Sequence, residues 1–124
     1  MPPILEEEIR RTGHYIVSES NGYRSRDVGI VASGAGKLLS GTVLGQVTAT
    51  KKFTPYDPAA TDGSEAAAAI LYEGCDATSA DVKRTLTVRD TEVQADVLIW
   101  AEGVTDAQKT AALAALSENG IVAR

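Results

Sequence analysis

The 124-residue chain is poor in the residues that carry chemistry. It holds one cysteine, Cys75, so no internal disulfide can form and no redox compartment is implied. It holds one histidine, His14, and its carboxylates are scattered without metal-ligand spacing, which removes the usual zinc arrangements. Aromatic residues make up 5%, so the core must come from Val, Leu, Ile and Ala, and glycan-stacking platforms are scarce. No apolar run approaches the roughly 20 residues of a membrane-spanning helix. Basic residues are outnumbered, 12 against 17, for a formal net charge of -5. A surface of that sign repels polyphosphate. No nucleic acid, membrane, metal or cofactor is therefore expected as a partner.

What is present fits one compact domain: 44% hydrophobic residues over a single domain's length. The charge is uneven. Glu6, Glu7, Glu8 and Glu19 balance Arg10, Arg11, Arg24 and Arg26 in the first 26 residues, so the whole surplus of -5 lies beyond them. Glu6-Glu7-Glu8 follows Ile4-Leu5 directly, which is no secretory signal pattern. The expectation is a soluble protein made in a cytoplasm.

Residues 1–14 read as an arm, in which Glu6–Arg10 and Glu7–Arg11 pairs could support a short helical turn. Tyr15-Ile16-Val17 is β-prone, Asn21-Gly22 is a turn signal, and Asp27 to Ala32 is a second extended segment. Gly34, Gly36 and Gly41 mark a loop before a strand from Thr42 to Thr48. Phe53 to Ser64 reads as a structured loop. The alanines of 66–69 favour helix, whereas Ile70-Leu71-Tyr72 and Gly74 favour a strand from about Ala67 to Cys75. Thr85 to Arg89 alternates, with Leu86 and Val88 inward, and Val93 to Trp100 reads as a further strand. Thr105-Asp106-Ala107-Gln108 is a capping box that opens a helix over 106–118, burying Ala112, Leu113 and Leu116. Asn119-Gly120 ends it, and Ile121-Val122 closes as a short strand.

The candidate chemical motifs are weak. Gly34-Ala35-Gly36-Lys37 resembles part of a phosphate loop, but Val31 and Leu38 stand where a Gly and a Ser or Thr are needed. His14 reads as a solvated residue of the arm. Cys75, beside Glu73 and Asp76, reads as a small buried hydrophobe rather than a reactive thiol. No serine lies in a nucleophile-elbow pattern. Glu6-Glu7-Glu8 with Arg10-Arg11 reads as a solvated face or a segment that orders on a partner. Trp100 reads as a core or interface anchor.

The order of four stretches carries a resemblance. They are Ser20 to Asp27, Gly36 to Gly45, Tyr56 to Ser64, and Asp96 to Trp100 with the C-terminal helix. Across nearly its whole length the chain resembles the head decoration proteins of lambda-type tailed bacteriophages. The resemblance implies a mainly β fold with a small α part: a compact β-clip-type domain with an extended N-terminal arm and one C-terminal helix. Residues 1–32 would be the capsid-binding arm and extended segment, and 33–124 the trimerising body. The Tyr15–Ala32 region is longer than the arm of the lambda protein and looks like that of longer-armed relatives.

The same resemblance implies a homotrimer on the threefold sites of an expanded head, outside the shell, with the arm adding β-structure to the major capsid protein. Tyr15, Ile16, Val17, Tyr23, Arg24, Arg26, Val28 and Ile30 would then face the capsid. Phe53, Pro55, Tyr56, Asp57 and Trp100 would line the trimer interface. Ordering about ten arm residues costs on the order of 10–20 kcal/mol, so single arms bind weakly. Three arms on one trimer raise avidity by ~10²–10⁴. On this reading a chain lacking residues 1–26 still folds and trimerises but no longer binds heads. Two other classes stand beside it. A trimeric nucleotide hydrolase of the dUTPase type would need a glycine-rich C-terminal tail, but the chain ends Gly120-Ile121-Val122-Ala123-Arg124. A virion adhesion module would bind glycans or cells instead of the capsid.

Overall fold

The computed structural model describes residues 11–22 and 24–124, so the Glu6–Arg10 and Glu7–Arg11 pairs and Tyr23 fall outside the described residues. Ten short strands and one α-helix make up the regular structure of the described residues, joined by one 3-10 turn. The expectation of a mainly β domain with one C-terminal helix holds.

Five strands close into a barrel in the order β2-β5-β4-β6-β8. β2 (Arg26–Val31) runs antiparallel to β8 (Val82–Thr87) over six residue pairs, from Arg26–Thr87 to Val31–Val82. β6 (Ala67–Leu71) lies between β8 and β4 (Val43–Gln46), and β4 pairs with β5 (Phe53–Pro55). The barrel closes through one parallel pair, Val31–Phe53. A second sheet places β1 (Ile16–Glu19) and β10 (Ile121–Ala123) on either side of β9 (Thr91–Val93). β3 (Gly36–Leu38) and β7 (Cys75–Ala77) form a two-stranded flap.

Two apolar clusters share the central strands. Val31, Leu44, Ala69, Leu71, Cys75, Ala77 and Leu86 fill the barrel. Tyr15, Val43, Ile70, Val93 and Ile121 pack with Ala112 and Leu116 of α1 (Asp106–Ser117). β4 and β6 thus bury side chains on both faces, which is why Ala67–Leu71 is apolar without alternation. This resolves the alanine conflict in favour of strand. A small residue lets α1 approach one face while the barrel fills the other. The capping box forms as expected: Gln108 N–H donates to Thr105 Oγ1 at 3.2 Å and Thr105 N–H donates to Gln108 Oε1 at 2.9 Å. Ala112 and Leu116 are buried, and Leu113 is partly so.

Several boundaries move. The expected strand from Ala67 to Cys75 breaks after Leu71, because the chain turns at Tyr72–Gly74 to pair β7 with β3. The expected strand from Val93 to Trp100 stops at Val93. There Gln94 N–H donates to Tyr15 C=O at 2.8 Å and a 3-10 turn follows over Ala95–Val97. β5 opens the supposed 53–64 loop, and β3 lies in the supposed glycine loop. β8 begins three residues earlier than expected and turns Thr87, not Val88, fully inward.

The larger correction concerns the N-terminal segment. No structural boundary falls at residue 32, because β1 and β2 are strands of the body. Tyr15 is fully buried, and its hydroxyl meets Thr87 Oγ1 at 2.5 Å. Burial pushes its phenol pKa up. A chain lacking residues 1–26 would lose Tyr15 and β1, so the expectation that it still folds is withdrawn.

Two substitutions test this packing. Tyr15→Phe leaves the buried Thr87 hydroxyl without its partner and is expected to cost about 1–3 kcal/mol, read as a lower urea midpoint at unchanged slope. Gly45→Ala would put a Cβ 2.4 Å from the Ser64 carbonyl oxygen, with only backbone atoms to yield. It is expected to cost about 1–3 kcal/mol or more, seen in the same unfolding measurement.

Candidate docking surface

The surface is built around β2. Along this strand Val31 points into the barrel, whereas Val28 and Ile30 point outward, 61% and 43% exposed. Their cross-strand neighbours on β8 are Thr85 and Lys83. On its other side β2 meets β5 only at Val31–Phe53. The length of that edge from Asp27 to Ile30 has no strand beside it among the described residues. Here an open groove of about 400 Å³ runs between β2 and the β4–β5 hairpin, with Phe53, Leu86 and Val88 along it and Lys51 and Lys52 at its rim. Gly29 makes this possible: a Cβ there would lie 2.8 Å from the Phe53 ring and 2.7 Å from Leu86. A glycine inside an otherwise β-branched strand is the sequence signal for such a close approach.

The arginines of the segment are engaged. Arg26 forms a two-point ion pair with Glu19, its Nε donating to Glu19 Oε2 at 3.2 Å, and Ser25 Oγ donates to the same oxygen at 2.6 Å. The Arg26 guanidinium also lies 4.2 Å from the centre of the Tyr72 ring. Arg26, then Ser25, hold the Glu19 carboxyl below the usual range despite some desolvation, and Glu19 raises Arg26 in turn. Arg24 pairs with Asp90 at 3.0 Å, and Arg89 pairs with Asp27 at 2.6 Å. These pairs pin the β1–β2 connection to the β8–β9 connection.

Of the residues expected to face a capsid, Val17, Arg24, Val28 and Ile30 lie exposed, Ile16 and Arg26 are half-buried, and Tyr15 is in the core. Tyr15 is thus withdrawn as a contact residue, and Tyr23 lies outside the described residues. Of those expected at a subunit interface, Pro55, Tyr56 and Asp57 border a second groove of about 570 Å³ facing Glu102, Val104 and Gln108. Trp100 stands edge-on to Tyr56, centroids 6.1 Å apart, and the Tyr56 hydroxyl donates to the Gln108 carbonyl at 3.4 Å. Phe53 departs from this group and packs against the barrel core.

The single histidine is not solvated as expected. His14 is half-buried, edge-on to Tyr15, with Nδ1 3.0 Å from the Arg11 carbonyl oxygen. Cys75 is buried, and desolvation pushes its thiol pKa up. Among the described residues no group of three or more His, Cys, Asp or Glu is placed to hold a metal ion. Lys51 and the groove it rims were missed in the sequence. Its signal is its backbone, a non-glycine residue at φ 62° on the β4–β5 turn.

The described residues define a class of protein, a small β-barrel module with one strand length unpaired among them, outward apolar side chains and open grooves. The family model of the bacteriophage lambda head decoration protein D matches residues 5–121, and the chain belongs to that family. Its role is accordingly structural, in the phage capsid. No curated protein sequence matches the chain.

The Glu19–Arg26 pair yields a pH prediction. Its folded-state carboxyl pKa is lowered, so its stabilisation is present above the unfolded value of about 4.3 and is lost as pH falls through the folded value. Glu19→Gln is expected to cost about 1 kcal/mol at neutral pH, and the gap from the parent should close as the solution is acidified. Urea unfolding at stepped pH values reads it, and a gap constant with pH would contradict the assignment.

Proposed function

We propose that three copies of this chain form a homotrimer that seats on the threefold sites of the expanded phage head, binds the major capsid protein from outside, and braces the shell against packaged DNA. Family membership over residues 5–121 is the observation that carries this reading. The surface gives it a physical form. The free length of β2 can accept main-chain hydrogen bonds from an added strand, and Val28 and Ile30 can bury apolar area against a partner. Val17, Arg24 and the half-buried Ile16 and Arg26 extend that face, and Tyr23 is proposed to join them. The groove at Pro55, Tyr56 and Asp57, anchored by Trp100, is the subunit contact, and Phe53, packed on the barrel core, lies along the other groove.

Trimerisation supplies the affinity that one face lacks. Once one subunit docks, the other two bind as intramolecular events, with a gain of ~10²–10⁴. The chain is made in the host cytoplasm and joins the outside of the virion. Its net charge of -5 is tolerable there, away from the packaged DNA.

Co-sedimentation with heads lacking decoration protein tests the proposal, with expanded and unexpanded shells compared. Saturable binding to expanded heads alone is expected. A chain starting at Arg11 keeps every described strand and is expected to fold but bind more weakly. Val28→Glu with Ile30→Glu is expected to leave the fold intact, because both side chains point outward, and to reduce binding at least about tenfold. Parent-like binding by the folded double variant would remove β2 from the contact. Failure of the parent chain to bind either shell would overturn the capsid-clamp reading itself.

A further inference from the structure

The chain contains two Asn-Gly dipeptides, Asn21-Gly22 and Asn119-Gly120, and the fold treats them oppositely. This dipeptide is the one most prone to intramolecular attack on the asparagine side chain, because glycine puts no Cβ in the way of its own amide nitrogen. At Asn119-Gly120 the backbone is tied down. Gly120 N–H donates to the Ser117 carbonyl at 3.0 Å, and Asn119 N–H donates to the Leu116 carbonyl at 3.0 Å. The two carbonyls accept in turn, Asn119 from Asp90 N–H at 3.3 Å and Gly120 from Thr91 N–H at 3.1 Å. Asp90 also crowds Gly120, its Oδ1 lying 2.7 Å from where a Cβ would stand.

At Asn21-Gly22 none of this holds. Both residues are exposed, and nothing lies within 4 Å of a Cβ built on Gly22. Gly22 N–H makes no hydrogen bond to another described residue, and neither does the Asn21 side chain. The loop is nevertheless anchored on both sides of this tip. Ser20 N–H donates to the Asp90 carbonyl at 3.1 Å, and Arg24 pairs with the Asp90 carboxylate.

We propose that Asn21 is a site of spontaneous, fold-selected deamidation, and that Asn119 is protected from the same reaction by its backbone hydrogen bonds. The Gly22 amide nitrogen gives up its proton to solvent and bonds to Asn21 Cγ. The Cγ–Nδ2 bond breaks, and ammonia leaves with a proton returned from solvent. The resulting succinimide adds one water at either carbonyl, giving aspartate or isoaspartate. One water is consumed, one ammonia is released, and nothing is oxidised or reduced. Each event adds one negative charge at the tip of the loop that joins β1 to β2. The isoaspartate product also lengthens the main chain there by one methylene. The chemistry depends on no assumption about trimers or capsids.

The full-length folded chain, incubated in mildly alkaline buffer, is sampled over time by peptide mass mapping and by enzymatic methyl labelling of isoaspartate. Asn21 is expected to convert at least about tenfold faster than Asn119, a difference of about 1.4 kcal/mol in barrier. In urea-unfolded chain the two sites should converge, since both are then plain Asn-Gly. The Asn21 rate should rise with pH and fall in Gly22→Ala, whose added methyl meets no neighbour although the φ of 70° there strains the turn. Equal rates at the two sites in the folded chain would overturn the proposal. So would an Asn21 that reacts only after unfolding.

Discussion

The fold depends on two strands being buried from both sides. β4 and β6 send Val43 and Ile70 toward the helix and Leu44, Ala69 and Leu71 into the barrel. With Phe53 the single phenylalanine and Trp100 the single tryptophan, this chain cannot fill one large core with rings. It makes two thin aliphatic layers instead, and the shared strands join them. Such layers tolerate little error, because packing at interior density leaves no slack. Gly45 shows this: it lies on a shared strand, where the Ser64 backbone passes too close for any side chain.

The N-terminal segment is drawn into this arrangement by one residue. Tyr15 places its ring in the helix-side cluster and its hydroxyl on Thr87, while its carbonyl accepts from Gln94 N–H. β1 then lies along β9, and β2 runs the length of β8. β8 takes one edge of β2 along its whole length, and on the opposite edge the described residues supply a single pair, Val31 with Phe53 of β5. The open edge, the groove and the outward Val28 and Ile30 are therefore consequences of how the barrel closes. The ion pairs Glu19–Arg26, Arg24–Asp90 and Arg89–Asp27 clasp the same region from outside, which spends the segment's positive charge within the molecule. An acidic partner would find few of these arginines free.

Sequence signals were legible where they are local. The Thr105–Gln108 capping box, the helix it opens and the turn at Asn119-Gly120 depend on neighbouring residues only, and they stand where expected. Strand existence was legible as well, from β-branched runs. Strand ends were not, because partners far along the chain set them. The break after Leu71 exists because β7 finds β3, and the stop at Val93 exists because Gln94 bonds to Tyr15. The candidate surface was legible in part. Val28 and Ile30, which the resemblance placed at a capsid-facing surface, point outward, whereas Tyr15, placed there with them, lies in the core. Lys51 and Gly29 gained meaning only once Phe53 was seen to cross the open edge.

By itself the sequence determined the class of the molecule: a mainly β chain closed by one capped helix, acidic, short of aromatic and metal-binding residues, and ordered like a head decoration protein. Periodicity, capping and composition act over a few residues or over the whole chain, and both scales are written in one dimension. Tertiary structure alone decided that Tyr15, β1 and β2 belong to the body, which apolar residues of that segment face outward, and which of its described arginines are paired. It also decided which of two identical Asn-Gly dipeptides is held. Those outcomes depend on contacts between residues dozens of positions apart, such as Tyr15 with Thr87 and Gly29 with Phe53, and no local pattern encodes them.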